Sequence, residues 1–428
     1  MSKKFTTLIL IGMVLGIVVG YACNTAFPDP KTAATVAGYI SLITTVFLRL
    51  IKMIIAPLVF STLVVGISHM GDTAAVGRIG IKTMAWFVCA SVVSLFLGLI
   101  MVNLLQPGAN LGMPLPDAGS ATNLKVSSLT LKEFIPHLVP ASVIESMANN
   151  EILQIVVFSV FSGVAIAALG ERGKLLAEVA DQVAHMMLVI TGYVMKMAPI
   201  AVFAAIAATI TTQGIGVLVT FGTFLVEFYL TLAILWGLLI LAGFVVIGPR
   251  TLDLVSRIRE PFLLAFSTAS SEAAYPKILD QLERFGVSKR IASFVLPLGY
   301  SFNLDGTMAY CTFATIFIAQ AYGIQLSLWT QITMLGLLMI TSKGMAGVPR
   351  ASLVVIAATL TTFNIPEAGL LLIMGIDQFL DMGRSATNVV GNSIAAAVVA
   401  KFEGELGPAV DEGAPAEIPG AVPMPSHA

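Results

Sequence analysis

Five residues near the C-terminal end of the chain, Asp377, Asp381, Arg384, Asn388 and Asn392, fall in the run GIDQFLDMGRSATNVVGNSIAAAVVAK. Their offsets from Asp377 are +4, +7, +11 and +15. At ~100° per residue the five share about 80° of one helix face. The rest of the run is mostly Leu, Val, Ile and Ala. Two acids, a guanidinium and two amides in an apolar helix are costly at membrane depth, so the stripe reads as a site for something polar. Arg384 has the geometry to hold a carboxylate through two parallel hydrogen bonds. Asp381, about one turn away, can take an ammonium. A competing reading pairs Arg384 and Asp381 only with each other, at i, i+3.

A second polar run, LPLGYSFNLDGTMAYCTF, places Asn303, Asp305 and Thr307 beside Gly299 and Gly306. Glycines and clustered polar residues favour local unwinding, which frees backbone carbonyls. Carbonyls, a carboxylate and an amide oxygen make an all-oxygen site for a hard cation, sodium or its rival, a proton on Asp305. The bland alternative is an Asp that caps a broken helix. Two short segments complete the set. The tip Ser267–Glu272, which includes Ser270 and Ser271, offers hydroxyls and N–H groups at a helix start, suited to an anion. The tip Gly344–Pro349, which includes Gly347 and Val348, offers glycine-enabled N–H groups. An enzyme reading fails on the serine-rich tip, which has no His or Lys base nearby in sequence.

The surrounding elements are those of a membrane protein. Of 428 residues, 57% are hydrophobic and 11% charged, against ~25% charged in soluble domains. The net charge of −1 gives no reason to expect nucleic acid. Cys23, Cys89 and Cys311 read as packing residues, and the four histidines are scattered. The basic start and first apolar run could pass for a signal peptide, but their length predicts a retained helix. Apolar segments of spanning length fall near 6–27, 38–67, 81–105, 151–170, 184–209 and 216–248. Residues 106–150 read as a polar loop with a short helix in LVPASVIESM. Beyond 250, segments 260–290 and 329–363 are interrupted by FSTASSEAAYP and TSKGMAGVP. Such breaks suit re-entrant hairpins, each followed by a span, 291–320 and 366–401. Paired interrupted segments point to an inverted repeat around a binding site, with two kinked helices as the plain alternative.

The expected fold class is an all-α polytopic membrane protein with eight spans and two hairpins. The expected divisions are 1–250 for the first six spans, 251–401 for the transport core, and 402–428 for a disordered cytoplasmic tail. Lys and Arg crowd one set of loops, which places both termini in the cytoplasm. Arg49 and Lys52 read as snorkelling to the cytoplasmic interface, with a subunit contact as the alternative.

These motifs resemble the dicarboxylate/amino acid:cation symporter family, from FLRLIKMIIAPLVFSTLVVGI through LPLGYSFNLDGT and TSKGMAGVP to DMGRSATNVVGN. The family includes archaeal aspartate transporters and animal excitatory glutamate transporters. The resemblance implies a homotrimer embedded in lipid, with a mobile core moving elevator-like against a scaffold. It implies that Arg384 meets the substrate's side-chain carboxylate and Asp381 its amino group. Asn388, Ser385, Thr307, Ser270, Ser271, Gly347 and Val348 would complete the substrate site. Asn303 and Asp305 match sodium ligands, and Gly299, Ser301, Ser342, Asn388 and Asn392 are further candidate cation ligands.

Three departures from the family pattern stand out. Asn392 stands where aspartate transporters carry an acid. Phe87, Ala90 and Ser91 stand where a Tyr, Thr, Ser trio serves sodium. Ala269 replaces an arginine of the archaeal proteins. The first two changes make proton coupling, or fewer sodium ions, credible. Asp381 favours glutamate or aspartate over a C4-dicarboxylate, which would leave that carboxylate unpaired. The reading is an inner-membrane, cation-coupled importer of acidic amino acids with no resident cofactor. A sodium- or proton-coupled succinate, fumarate or malate carrier is the alternative, and a channel or sensor a further class.

Overall fold

The computed structural model describes residues 3–68, 73–109, 139–214, 221–342, 351–374 and 376–410, and these are almost wholly helical. The first half comprises α1 (Lys3–Ala26), α2 (Pro30–Ser68), α3 (Thr73–Leu105), α4 (Val143–Asn149), α5 (Ile152–Leu169), α6 (Lys174–Met195), α7 (Ala198–Gln213) and α8 (Gly222–Ile247). The second comprises α9 (Arg250–Arg257), α10 (Arg259–Thr268), α11 (Tyr275–Phe285), α12 (Lys289–Phe302), α13 (Asp305–Ala321), α14 (Leu328–Thr341), α15 (Ala351–Thr362), α16 (Leu370–Met374) and α17 (Asp377–Glu403). Among the described residues, five segments are long and apolar enough to cross a bilayer: Thr7–Ala26, Pro30–Ser68, Val76–Leu105, Ile152–Met195 and Gly222–Ile247. The protein is therefore read as an integral membrane protein.

Sequence pattern explains most boundaries, and one boundary differs from expectation. The apolar stretch 184–209 is not one helix. It splits at Lys196 and Met197 because Pro199 lies in the first turn of α7. Proline has no N–H to give to the Met195 carbonyl, and its ring crowds that oxygen. The α1–α7 contact is among the most extensive in the molecule. Gly12, Gly16 and Gly20 lie on it at four-residue spacing, and a Cβ at Gly16 would sit 2.8 Å from the Phe203 carbonyl oxygen. Small residues at that spacing let two membrane helices approach at backbone distance.

The two halves bury themselves differently. Helix α1 keeps only 22% of its apolar window buried, whereas α17 is buried on every side from Ser385 to Ala400. The Asn388 and Asn392 end of the polar stripe of α17 therefore faces helices all round, chiefly α8, α10, α12 and α13. The chain also stays tied down beyond Phe402, where a loose tail was expected. Glu403 pairs with Arg78 (3.0 Å) and Lys82 (2.6 Å) of α3. Burial pushes that carboxyl up, but the bonds from Arg78 and Lys82 outweigh it and hold Glu403 below the usual carboxylate range. Residues 404–410 then run along the α11–α12 turn. Gly407 N–H donates to the Gly286 carbonyl and Val410 N–H to the Arg284 carbonyl, both at 2.8 Å. Residues 411–428 lie outside the described residues.

Candidate functional site

The polar run at 299–307 breaks its helix as its composition predicts. Helix α12 ends at Phe302 and α13 starts at Asp305, with Asn303 and Leu304 at ψ 59 and 62 between them. The break lies against the stripe of α17. Gly306 N–H donates to Asn388 Oδ1 (3.0 Å), and Asn388 Nδ2 reaches Thr307 Oγ1 (3.4 Å). Gly306 is required there, because a Cβ would collide with the backbone of Arg384.

A cleft of about 440 Å³ opens above this junction. Its lining includes Thr307, Asp381, Arg384, Ser385 and Asn388, together with Ser270, Ser271 and Glu272 from the turn between α10 and α11. The sequence-derived substrate residues within the described part thus share one cleft. Gly347 and Val348 lie outside the described residues. At the turn, Ala269 adopts the left-handed conformation (φ 50, ψ 39) that caps α10. Ser267 and Thr268 hydroxyls fold back onto the Leu263 and Leu264 carbonyls, while Ser270 and Ser271 join Thr268 in the cleft lining. Lys52 lines the same cleft from α2, while Arg49 is exposed. Only its position along α2 was legible in the sequence, not the cleft it meets.

Arg384 and Asp381 do pair. Nε (2.8 Å) and Nη2 (2.7 Å) of Arg384 both donate to Asp381 Oδ1, and Ser385 Oγ adds a third bond at 2.9 Å. All three converge on one oxygen, so Asp381 Oδ2 takes no hydrogen bond from a described residue. Arg384 also donates through Nη1 to Ser352 of α15. A guanidinium carries five N–H groups, which leaves one on each Nη for a further acceptor. The pairing thus coexists with open bonding capacity on both residues. Tyr310 supports the guanidinium from below. Its ring centroid lies 5.8 Å from Arg384 Cζ, and its hydroxyl donates to Asp377 Oδ1 at 3.0 Å. Ser352 and Tyr310 were not singled out from the sequence, because their partners lie 32 and 67 residues away.

The candidate cation ligands cluster in the helix break. Asn303 Nδ2 donates to Asn392 Oδ1 (3.0 Å) across 89 residues of sequence, with Gly299 packed beside that amide. Asp305, 0% exposed, accepts from Ser94 Oγ at 3.2 Å. Asn303 Oδ1, Ser301 Oγ and Asn392 Nδ2 are buried atoms without a hydrogen-bond partner among the described residues. Buried polar atoms are rarely left so. Two of the three are oxygens, beside a carboxylate, which is the donor set a hard cation takes. Ser342 is not joined to this cluster: its hydroxyl turns back to the Met339 carbonyl at 3.4 Å. Of the trio on α3, Phe87 and Ala90 are buried and apolar, and Ser91 reaches the Phe302 carbonyl at 3.3 Å.

Comparison with known proteins points one way. The model of the sodium:dicarboxylate symporter family matches residues 5–402. A proton/sodium-glutamate symport protein of Bacillus caldotenax is 41% identical over 407 residues, 93% of this chain and 94% of the relative. A protein of the same name from Bacillus subtilis (strain 168) is 38% identical over 417 residues, 95% and 94% of the two chains. A C4-dicarboxylate transport protein of Laribacter hongkongensis is 39% identical over 410 residues, 95% and 92%.

Proposed function

Because the chain belongs to the sodium:dicarboxylate symporter family, a family of transporters rather than enzymes, we propose that it is a secondary-active, cation-coupled importer of acidic amino acids. One observation carries this reading: Asp381 Oδ2 and the remaining N–H groups of Arg384 meet no described residue and lie side by side in one small cleft. A carboxylate on Arg384 and an ammonium on Asp381 describe glutamate or aspartate. A C4-dicarboxylate meets Arg384 equally well but brings a second anion towards Asp381, at a cost of several kcal/mol unless that Asp is protonated. The relatives named for C4-dicarboxylate transport keep that substrate class as the second reading.

In this reading the proteins named as relatives supply the coupling ions, sodium and protons. The partnerless oxygens of Asn303 and Ser301 beside Asp305 support a cation at the break between α12 and α13. Asn392 supplies an amide where an acid would balance a second charge, which favours few sodium ions or a proton. Residues 251–401 act as the moving core. The α10–α11 and α14–α15 pairs act as re-entrant hairpins, bringing the count of spans to eight, with Gly347 and Val348 at the second tip. The core slides against the helices before residue 250 in a homotrimer. The lysine and arginine bias of the loops supports cytoplasmic termini in a bacterial-type inner membrane. Cation binding would favour closure over a loaded substrate, so that coupling is a difference in affinity between states.

The test is counterflow in proteoliposomes loaded with glutamate, aspartate or succinate, under separate sodium and proton gradients. Concentrative exchange of the two amino acids above succinate is expected. Exchange of succinate alone would install the dicarboxylate reading, and no concentrative exchange would remove both.

A further inference from the structure

One face of α3 is open and carries charge at one end. Gly77, Ile81, Met84 and Val88 recur at offsets of +4, +7 and +11, the spacing of a single helix stripe. Ile81 is 73% exposed and Val88 45%, and a Cβ at Gly77 would meet nothing within 4 Å among the described residues. Small residues between larger ones make this stripe a groove. It runs as two adjoining hollows of about 730 and 550 Å³ that share Ala85 and Cys89, and Lys82 and Phe402 line the second. Arg78 and Lys82 fall in the first two turns of the spanning segment Val76–Leu105, where a long basic side chain reaches the headgroups. Both pair with Glu403, yet exposure is one-sided: 54% and 35% for the cations against 1% for the carboxylate. The acid holds the cations from within and leaves them outermost. Two cations against one acid leave a net positive charge. Lys82 donates to Glu403 and to the Phe402 carbonyl, and an ammonium has a third N–H beyond those two bonds.

We propose that this face binds one anionic phospholipid, with its phosphate on Lys82 and Arg78 and an acyl chain along the groove towards Val88. The charge selects the class. A zwitterionic headgroup brings its own ammonium beside the phosphate, and the two cations repel it. An anionic headgroup brings none, and each Lys or Arg near the membrane surface strengthens its binding about five-fold. The groove selects a lipid over a soluble phosphate, which would meet the cations and leave the apolar stripe unfilled. The bound headgroup sits over the junction of α3 with the end of α17, which Glu403 closes from within. The lipid therefore braces the helix that carries Arg384 at its far end.

The experiment is native mass spectrometry of the purified full-length protein in a neutral detergent. Phosphatidylglycerol and phosphatidylcholine of the same acyl chains are titrated into the wild type, Lys82→Gln and Ala85→Trp, with glycerol 3-phosphate as the soluble headgroup. The first lipid bound per chain should favour phosphatidylglycerol about five-fold or more in the wild type. Lys82→Gln should bring the two lipids to within about two-fold of each other. Ala85 is exposed, so Ala85→Trp fills the groove and leaves the cations in place. It should weaken phosphatidylglycerol about ten-fold, the loss of roughly two buried methylene groups. Equal binding of the two lipids by the wild type overturns the assignment, as does an unchanged preference in Lys82→Gln. If Lys82→Gln does not fold, Ala85→Trp decides alone, and unweakened phosphatidylglycerol binding in it overturns the assignment. Glycerol 3-phosphate that binds as tightly as the lipid makes this a soluble-anion site and overturns it. A changed number of chains per particle in Ala85→Trp makes the groove a subunit contact and overturns it too.

Discussion

Two ion pairs of the same kind sit in very different places. Arg384 and Asp381 meet at 2.7 Å with side chains 11% and 15% exposed, in a cleft of about 440 Å³. Lys289 and Asp181 meet at 3.2 Å with side chains 31% and 35% exposed, in a cleft of about 1300 Å³ between α6 and the α11–α12 region. The larger cleft also carries more charged residues, His185, Glu283 and Lys277 among them. By count of charges it would be the better candidate site. By unspent bonding capacity it is not. Asp181 Oδ1 takes the Lys289 bond, His185 Nδ1 lies 3.3 Å from Oδ2 while bonding the Asp181 main-chain carbonyl at 2.9 Å, and water can serve what remains. Around Arg384 water is largely excluded, so each unfilled donor or acceptor calls for a ligand. Charges mark a site when they are buried and incompletely matched, not when they are numerous.

Three substitutions sharpen or break that contrast. Arg384→Ala removes the carboxylate partner and strands Asp381 in a buried setting. Glutamate and succinate uptake in proteoliposomes should both fall at least a hundred-fold, as loss of one member of a buried pair costs about 3–5 kcal/mol. Uptake near wild type would make the small cleft irrelevant. Asp381→Ser leaves the carboxylate slot and removes the ammonium partner. The ratio of glutamate to succinate affinity should drop about ten-fold, the scale of one charge-assisted bond. An unchanged ratio would remove the ammonium role of Asp381. Lys289→Gln should matter least: an exposed pair contributes roughly 0–1 kcal/mol, so glutamate Kd should stay within two-fold of wild type. A loss as large as that of Arg384→Ala would put the functional weight on the wrong cleft.

What was legible in the sequence follows a simple division. The stripe of α17 could be read because helical periodicity carries Asp381, Arg384 and Asn388 to one face regardless of neighbours. The break at Asn303 could be read because Gly299, Gly306 and the polar residues between them are locally unfit for a continuous apolar helix. Contacts between elements left no such signature. Ser352 carries no local sign that Arg384 will find it, and Lys52 none that its side of α2 borders a cleft. The two-helix form of 174–213 was within reach, since Pro199 stands in plain view. The apolar run across it was the stronger pattern and concealed the break. The segment 404–410 was unreadable for another reason. It is held by main-chain groups, which every residue has, and by Glu405, whose partners Ser288 and Arg290 lie more than a hundred residues away, and its Gly- and Pro-containing composition reads as loose.

That segment alters the mechanics of the second half. By bonding to 284–288, residues 404–410 bring the far end of α17 back to the α11–α12 turn, and the chain from Tyr275 to Val410 closes into a lasso. Val287 and Leu406 form a single antiparallel rung of it. Arg250 ties the knot from outside, donating to the Phe285 and Gly407 carbonyls at 2.7 and 2.8 Å. A load applied at that turn reaches the helix bearing Arg384 through peptide groups and through the Glu405 carboxylate, which takes bonds from Ser288 and Arg290.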